Sequence, residues 1–384
     1  MFSLSCAGPV LAFEVSGHLK SLSVVSAAPP GPGGEHSTFT ASGQRLDLQH
    51  ELQPGLRFEL ALDNLILYRS SPLQTPLPST SSGRYFDLEG SWGGTEHLAD
   101  TLQIDRLLLR GRHGAFDWSM GRQAIGFGRI VIASPLDVIN PFSPEALDTD
   151  VRPGVDAVRA IFSTNRGSQT NGIIVFGETA RENSYLLTYA DTFNNVDLLA
   201  LTGSLRHRPL LGVGLAGDIK SLGVKVEATA YRGQDVDTPG GDLYEYFWQG
   251  GIEFWYRFDN GLVLLVEGLY NGVGSSDPQR YPQVVASAPL REGLSSLLGR
   301  HYLLISPSWE MHPLVTLSTL LIWNLDDDSS LLRPQITCSL TGNLSLDLFY
   351  AVANGSPPYP GSSLPRSEFG SMGDSGGALL RWYF

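Results

Sequence analysis

Cysteine is almost missing from this chain: of 384 residues, only Cys6 and Cys338 carry a thiol. That excludes a disulfide framework, a CxxC redox pair, a cysteine-rich zinc site and a c-type haem attachment motif, so the chain itself carries no cofactor signal. Basic residues are also scarce, with 26 Lys and Arg against 39 Asp and Glu, a formal net charge of −13. Nucleic acid is set aside as a partner, because phosphate recognition needs clustered cations. No run of about 18 apolar residues occurs, so no transmembrane helix is expected. The opening MFSLSCAGPVLAFEVSG has the apolar stretch and small-residue ending of a secretory signal, with Val10 and Ala12 placed for cleavage before Phe13, but no basic n-region. Residues 1–12 therefore read as a truncated signal-peptide remnant.

What the chain does have is turn formers and strand formers: 43 Gly, 24 Pro and 10% aromatics. Its patterning has period two nearly throughout. Leu344, Leu346, Leu348 and Tyr350 fall on one face against Ser345 and Asp347. Leu222, Val224 and Val226 oppose Lys225, Glu227 and Thr229, while Ile252, Phe254, Tyr256 and Phe258 oppose Glu253 and Arg257. Around Leu56 to Asp63, the polar side is Arg57, Glu59 and Asp63. Such segments are strands with one apolar face.

A soluble sandwich alternates too, so the links decide. Tight ones (Gln53 to Gly55, Arg112 to Gly114, Asn194-Asn195, and the KS, DNG, HP and GN pairs) take turns with long ones, from Pro29 to Ser37, Ser70 to Glu96, Gly126 to Pro153, Gln234 to Tyr246, Asn271 to Gly299 and Asn354 to Gly376. Short turns at one end and long loops at the other describe a transmembrane β-barrel with short periplasmic turns and long outer loops. The expected fold is all-β, a single closed antiparallel barrel over residues 13–384 with about eighteen strands, sixteen being the alternative. A barrel that sits in lipid needs an outer apolar band. This assigns Arg57, Glu59, Lys225, Glu227, Glu253, Arg257 and Asp347 to the lumen, and gives Cys338, in step with Leu332, Ile336 and Leu340, an inert outward place.

The C-terminus contains GDSGG at Gly373 to Gly377, the surround of a chymotrypsin-like nucleophile. Only seven residues follow Gly377, and the rest of that machinery is missing. Ser375 instead enters a last strand in which Leu380, Trp382 and Phe384 alternate with Leu379, Arg381 and Tyr383. The terminal Phe384, with Trp382, resembles the signature read by the outer-membrane barrel assembly machinery. The acidic run Asp326-Asp327-Asp328 reads as a solvated loop tip rather than a metal site.

Gly121-Arg-Gln-Ala-Ile-Gly-Phe-Gly-Arg129, then Pro135 to Phe142 with its D..NP, then Arg152-Pro-Gly154, resemble a pattern shared by a group of Gram-negative outer-membrane barrels. The group includes alginate-export-like porins, related barrels of unknown function, and the porin-like barrels of porin–cytochrome conduits. The resemblance covers roughly 40 residues and implies a barrel with a pore. By the strand parity, residues 126–153 are the third outer loop, after the fifth strand. In general porins that loop folds into the lumen. Its Ile130, Val131, Ile132, Leu136, Val138, Ile139 and Phe142 need a surface to bury against. The expectation is a lumen-folded constriction carrying Arg122, Arg129, Asp137, Asp148, Asp150, Arg152 and Arg159, with the three aspartates facing Arg122, Arg129 and Arg159. Strict alternation from Phe116, Trp118 and Met120 sends Arg122 toward lipid, so a bulge at Gly121 is expected to turn it inward.

Two functions follow. One is an outer-membrane channel, not an enzyme, for small hydrophilic solutes or ions, since 16 to 18 strands leave an aqueous lumen. The other is a sheath whose lumen is filled by a periplasmic multihaem cytochrome. The remaining expected partners are outer-membrane lipid and the assembly machinery.

Overall fold

The structure, a computed structural model, describes residues 13–27, 36–70, 83–92, 94–358 and 365–384. The leader expected over residues 1–12 lies outside them. The alternating segments form strands β1 (Glu14–Ser26), β2 (Ser37–Gln53), β3 (Leu56–Arg69), β4 (Glu89–Trp92), β5 (Leu98–His113) and β6 (Phe116–Gln123). Then come β7 (Val155–Ser163), β8 (Gln169–Val175), β9 (Ser184–Phe193), β10 (Val196–Leu205), β11 (Arg208–Ile219), β12 (Leu222–Arg232) and β13 (Tyr246–Arg257). The last are β14 (Leu262–Asn271), β15 (His301–His312), β16 (Val315–Asn324), β17 (Ser330–Thr341), β18 (Leu344–Asn354) and β19 (Ser375–Tyr383). Leaving out the short β4, eighteen strands close antiparallel in chain order, β1 pairing with both β2 and β19.

One end carries the tight turns. Asn194 and Asn195 take φ of 48° and 64°, Gly55 83° and Gly114 59°, the left-handed backbone that Asn and Gly adopt at least cost. The other end carries the long links, apart from the five residues Leu325 to Ser329 between β16 and β17 and one two-residue link that the residue types conceal. β10 and β11 are joined by Arg206-His207 alone, at φ 47° and 64°, although neither is a turn former. Arg206 is held there by Ser184 Oγ on its backbone N–H and by its own bonds to Glu292.

Register puts Val226 beside Ile252, Val224 beside Phe254 and Leu222 beside Tyr256, all on the outer face. Exposed apolar side chains continue that face around the barrel through Leu348, Leu380 and Trp382. Such a band is what a transmembrane barrel presents to hydrocarbon. Cys338 pairs with Leu346 on it, and Ser375 is the first ladder residue of β19, opposite Ser26 and Ala351. Phe384 exchanges both backbone hydrogen bonds with Gly17, tying the last residue to the first strand.

The main apolar core lies inside the barrel. Inward residues of β7 to β13, among them Val155, Leu186, Leu201, Leu210, Tyr231 and Phe247, pack with Ile125, Leu136, Val138 and Ile139 of the link between β6 and β7. That half of the lumen is filled by the chain's own side chains.

Candidate functional site

The link of residues 124–154 enters the barrel because β6 ends early. At Gly121, φ is 121° and a Cβ would lie 2.1 Å from the Leu107 carbonyl oxygen, so only glycine fits there. The pairing nevertheless runs without a slip on both sides, Leu107 to Arg122 and Arg122 to Asp156. The expected bulge is not there. Arg122 keeps its outward place and is buried by another route: its guanidinium binds Asp156 at 2.8 and 3.0 Å, the Ile104 carbonyl at 3.0 Å and the Phe86 carbonyl at 2.6 Å. Asp156 in turn accepts from the N–H groups of Tyr85 and Phe86. Residues 83–92 thus fill the gap left in the wall beyond Gln123, with β4 pairing β5 and the Gly83 carbonyl accepting from Asp156 N–H. Arg122 faces no aqueous space, which corrects its placement at the constriction.

Beyond Gln123 the chain runs against β12 to β14. An extended segment with no strand partner must still satisfy its N–H groups. Glu227 accepts from Arg129 N, Ile130 N, Leu136 N and Ser134 Oγ; Glu253 accepts from Val131 N; Glu267 accepts from Ile132 N and Ala133 N. All three carboxylates are at most 1% exposed. Glu253 and Glu267 are direct cross-strand neighbours, an unfavourable pairing of like charges. It is offset by the loop's N–H groups and by Lys225, whose Nζ lies 2.7 Å from Glu253. Thr229 adds a bond to the Pro135 carbonyl. Burying Leu136, Val138 and Ile139 against the wall contributes about 1.5–3 kcal/mol for each side chain.

The far part of the loop reaches the opposite wall, where cations meet it. Arg333 of β17 donates to the carbonyls of Glu145 and Ala146, and Arg381 of β19 to that of Leu147. Lys20 of β1 binds Asp148 and Asp150, each at 2.8 Å, and Tyr383 donates to Asp150. Burial alone would raise the Asp150 carboxyl, but the hydrogen bonds from Lys20 and Tyr383 hold it below the ordinary range. The loop leaves the lumen beside a buried cluster in which Asp105 accepts from Arg45, Arg106 and Gly154 N–H, while Arg106 holds the Arg152 carbonyl.

The expected partners of the three aspartates are therefore replaced. Asp137 pairs within the loop with Arg152 at 2.6 Å and accepts from Phe127 N and Gly128 N; Asp148 and Asp150 pair with Lys20. Arg129 sits 3.3 Å from Asp197, and Arg159 lines a basic hollow of about 430 Å³ with Arg57, Arg110 and Arg112 at the tight-turn end. Of the residues expected to face the lumen, Glu227 and Glu253 do point inward but are covered by the loop, and Asp347 is covered by its pair with Arg381. Arg57, Glu59, Lys225 and Arg257 share that inward face. Sequence reasoning missed Lys20, Glu267, Arg333 and Arg381. A signal was present for Glu267, Arg333 and Arg381, one charge at inward parity in its strand, clearest in LVLLVEGLY, whereas Lys20 shares its face with Glu14 and His18. Asp326 and Asp327, expected at a solvated tip, are engaged instead, with His301 and the backbone around Arg300 and with Tyr281, Ser329 and Glu368.

Between the loop and β15 to β17, a cavity of about 480 Å³ remains, lined by loop residues from Gly128 to Arg152 and by Ser306, Ser318, Leu320, Arg333 and Gln335 of the wall. A second apolar cluster, with Leu269, Tyr302, Leu304, Ile322 and Leu331 of the wall packed on Ile132 and Ala133 of the loop, occupies part of this side too, so the space left here is the cavity itself.

No protein-family profile and no curated protein matches this sequence. Solved structures do. The BenF-like porin of Pseudomonas fluorescens Pf-5 superposes with a TM-score of 0.61 at 10% identity, over 97% of this chain and 98% of that one. Acinetobacter baumannii OccAB3 gives 0.60 at 11%, over 97% and 99%. Pseudomonas aeruginosa OccK8 (OprE) gives 0.57 at 10%, over 97% and 98%. The fold of this chain is that of Gram-negative outer-membrane porins.

Proposed function

We propose that the protein is an outer-membrane channel for the passive passage of small hydrophilic solutes, with residues 126–153 setting the width of its pore. The observation that carries this reading is the loop held across the lumen by wall carboxylates on one side and wall cations on the other. A free outer loop needs no such anchors, and a barrel of this strand number without an inner loop leaves a wide channel. Wall charge and width are what set selectivity in such pores. A sheath for a cytochrome needs that lumen for its partner, and no observation favours it here.

Single-channel recording in a planar bilayer tests the proposal. The purified barrel is expected to give discrete conductance steps, and deletion of residues 131–147 is expected to enlarge them. A folded barrel that gives no steps, or a deletion that folds and leaves conductance unchanged, removes the reading.

A further inference from the structure

We propose that the open slot between the inner loop and strands β15 to β17 is a track for uncharged solutes of monosaccharide size that carry hydroxyls on one side and an apolar face on the other. This rests on the channel reading and names the solute class of the same site.

The first argument is the committed state of its charges. Three charged residues line the slot: Asp137, Arg152 and Arg333. Asp137 and Arg152 neutralise each other at 2.6 Å; Asp137 also accepts from two loop N–H groups, and Arg152 donates to the Asn140 carbonyl while covering the Phe142 ring at 4.8 Å. Arg333 gives both terminal nitrogens to loop carbonyls, and its Nε is buried away from the slot's water. A cation entering here loses hydration and meets no free carboxylate, and an anion meets in Arg333 a guanidinium whose terminal nitrogens are already bonded to loop carbonyls, so in neither case does a direct contact repay the lost hydration.

The second argument is what remains. On the wall side are Ser306, Ser318 and Gln335, whose hydroxyls and amide can replace water around a solute's own hydroxyls. On the loop side, Val131 is 65% exposed although it lies inside the barrel, where no lipid covers it. Its backbone N–H is fixed on Glu253, so the side chain is held in that exposed place rather than left there by slack. Phe142 shares the slot. A wall that offers two hydroxyls and an amide beside Leu320, opposite Val131 and Phe142, fits a ring with hydroxyls at its rim and C–H groups on its face. The volume, about 480 Å³, lies within the range of small-molecule sites.

The test is solute flux into proteoliposomes for three solutes of equal size and different charge, a neutral hexose, its aldonate and its amino sugar, alongside KCl conductance. The hexose is expected to enter faster than either ion, and Val131→Ser is expected to lower the ratio of hexose to aldonate flux about fourfold, the effect of losing roughly one methylene of apolar contact. A conducting barrel that favours the aldonate or the amino sugar overturns the solute class and leaves the channel reading standing. So does one in which all three enter alike and Val131→Ser changes nothing. A folded barrel that passes neither KCl nor any of the three overturns both.

Discussion

Lys20 Nζ stands 2.8 Å from Asp148, 128 positions away in sequence, and 2.8 Å from Asp150. One ammonium from the first strand thus bridges two carboxylates of the inner loop, the second of which also has Arg381 at 3.7 Å. Lys20→Ala leaves Asp148 without its cation and Asp150 with only Arg381, whose Nε lies 3.7 Å away. The half-buried setting places the expected loss near 2 kcal/mol, between exposed and fully buried pairs. A lower urea midpoint by intrinsic fluorescence checks it, and the triple change K20A/D148N/D150N is expected to recover most of the difference.

Glu227 satisfies three loop N–H groups and a serine hydroxyl at once. Glu227→Ala is expected to release residues 129–136 from the wall, each unsatisfied N–H costing about 1–3 kcal/mol if it stays buried. The barrel ladder does not use this side chain, so heat-modifiable folding is expected to persist while single-channel traces become larger and noisier. Quiet traces at the original conductance would show that apolar packing alone holds the loop.

Arg122 offers a control in the other direction. Arg122→Ala strands a buried Asp156 and the Phe86 and Ile104 carbonyls, with an expected cost of about 3–5 kcal/mol. Conductance of whatever barrel folds is expected to be unchanged, because the arginine seals the wall and touches no water path. A selectivity change at undiminished stability would place it in the pore after all.

Glu368, in the link between β18 and β19, is buried among Tyr302, Asn324 and the Leu298 N–H, beside Asp327, and burial pushes its carboxyl up to about 7 from an ordinary 4.5. The folded state therefore holds a proton that the unfolded chain has released between those values. Stability from this site is expected to be full below pH 4.5 and to fall as pH rises through about 7. Thermal unfolding of the wild type against Glu368→Gln reads it: the variant is expected to lose the decline between pH 5 and 8. An identical slope in both proteins would assign the dependence elsewhere.

The barrel was legible because period two and turn chemistry are local signals: Asn194-Asn195 announces its turn by residue type alone. Arg206-His207 does not, since its left-handed backbone is fixed by Ser184 and Glu292 from elsewhere in the chain. The inner loop was legible as a loop that must bury its apolar residues, and Leu136, Val138 and Ile139 do so. Its partners were not. Which cation meets Asp148 depends on how β1 comes round to β19, and no spacing along the chain encodes that. Arg122 failed for a similar reason: alternation placed it on the outer face, but the cover supplied by Tyr85 and Phe86 comes from a different loop.

The strands whose pairing closes the barrel, β1 and β19, both grip the same loop from inside, through Lys20, Arg381 and Tyr383. Once that seam has zipped, the wall is a continuous hydrogen-bonded hoop with its lumen already crossed. A loop left outside would then need to re-enter past the rim and displace water from a crowded interior. The order of assembly expected from this geometry has residues 124–154 in place while the hoop is still open, with the final seam closing around them as around a mandrel.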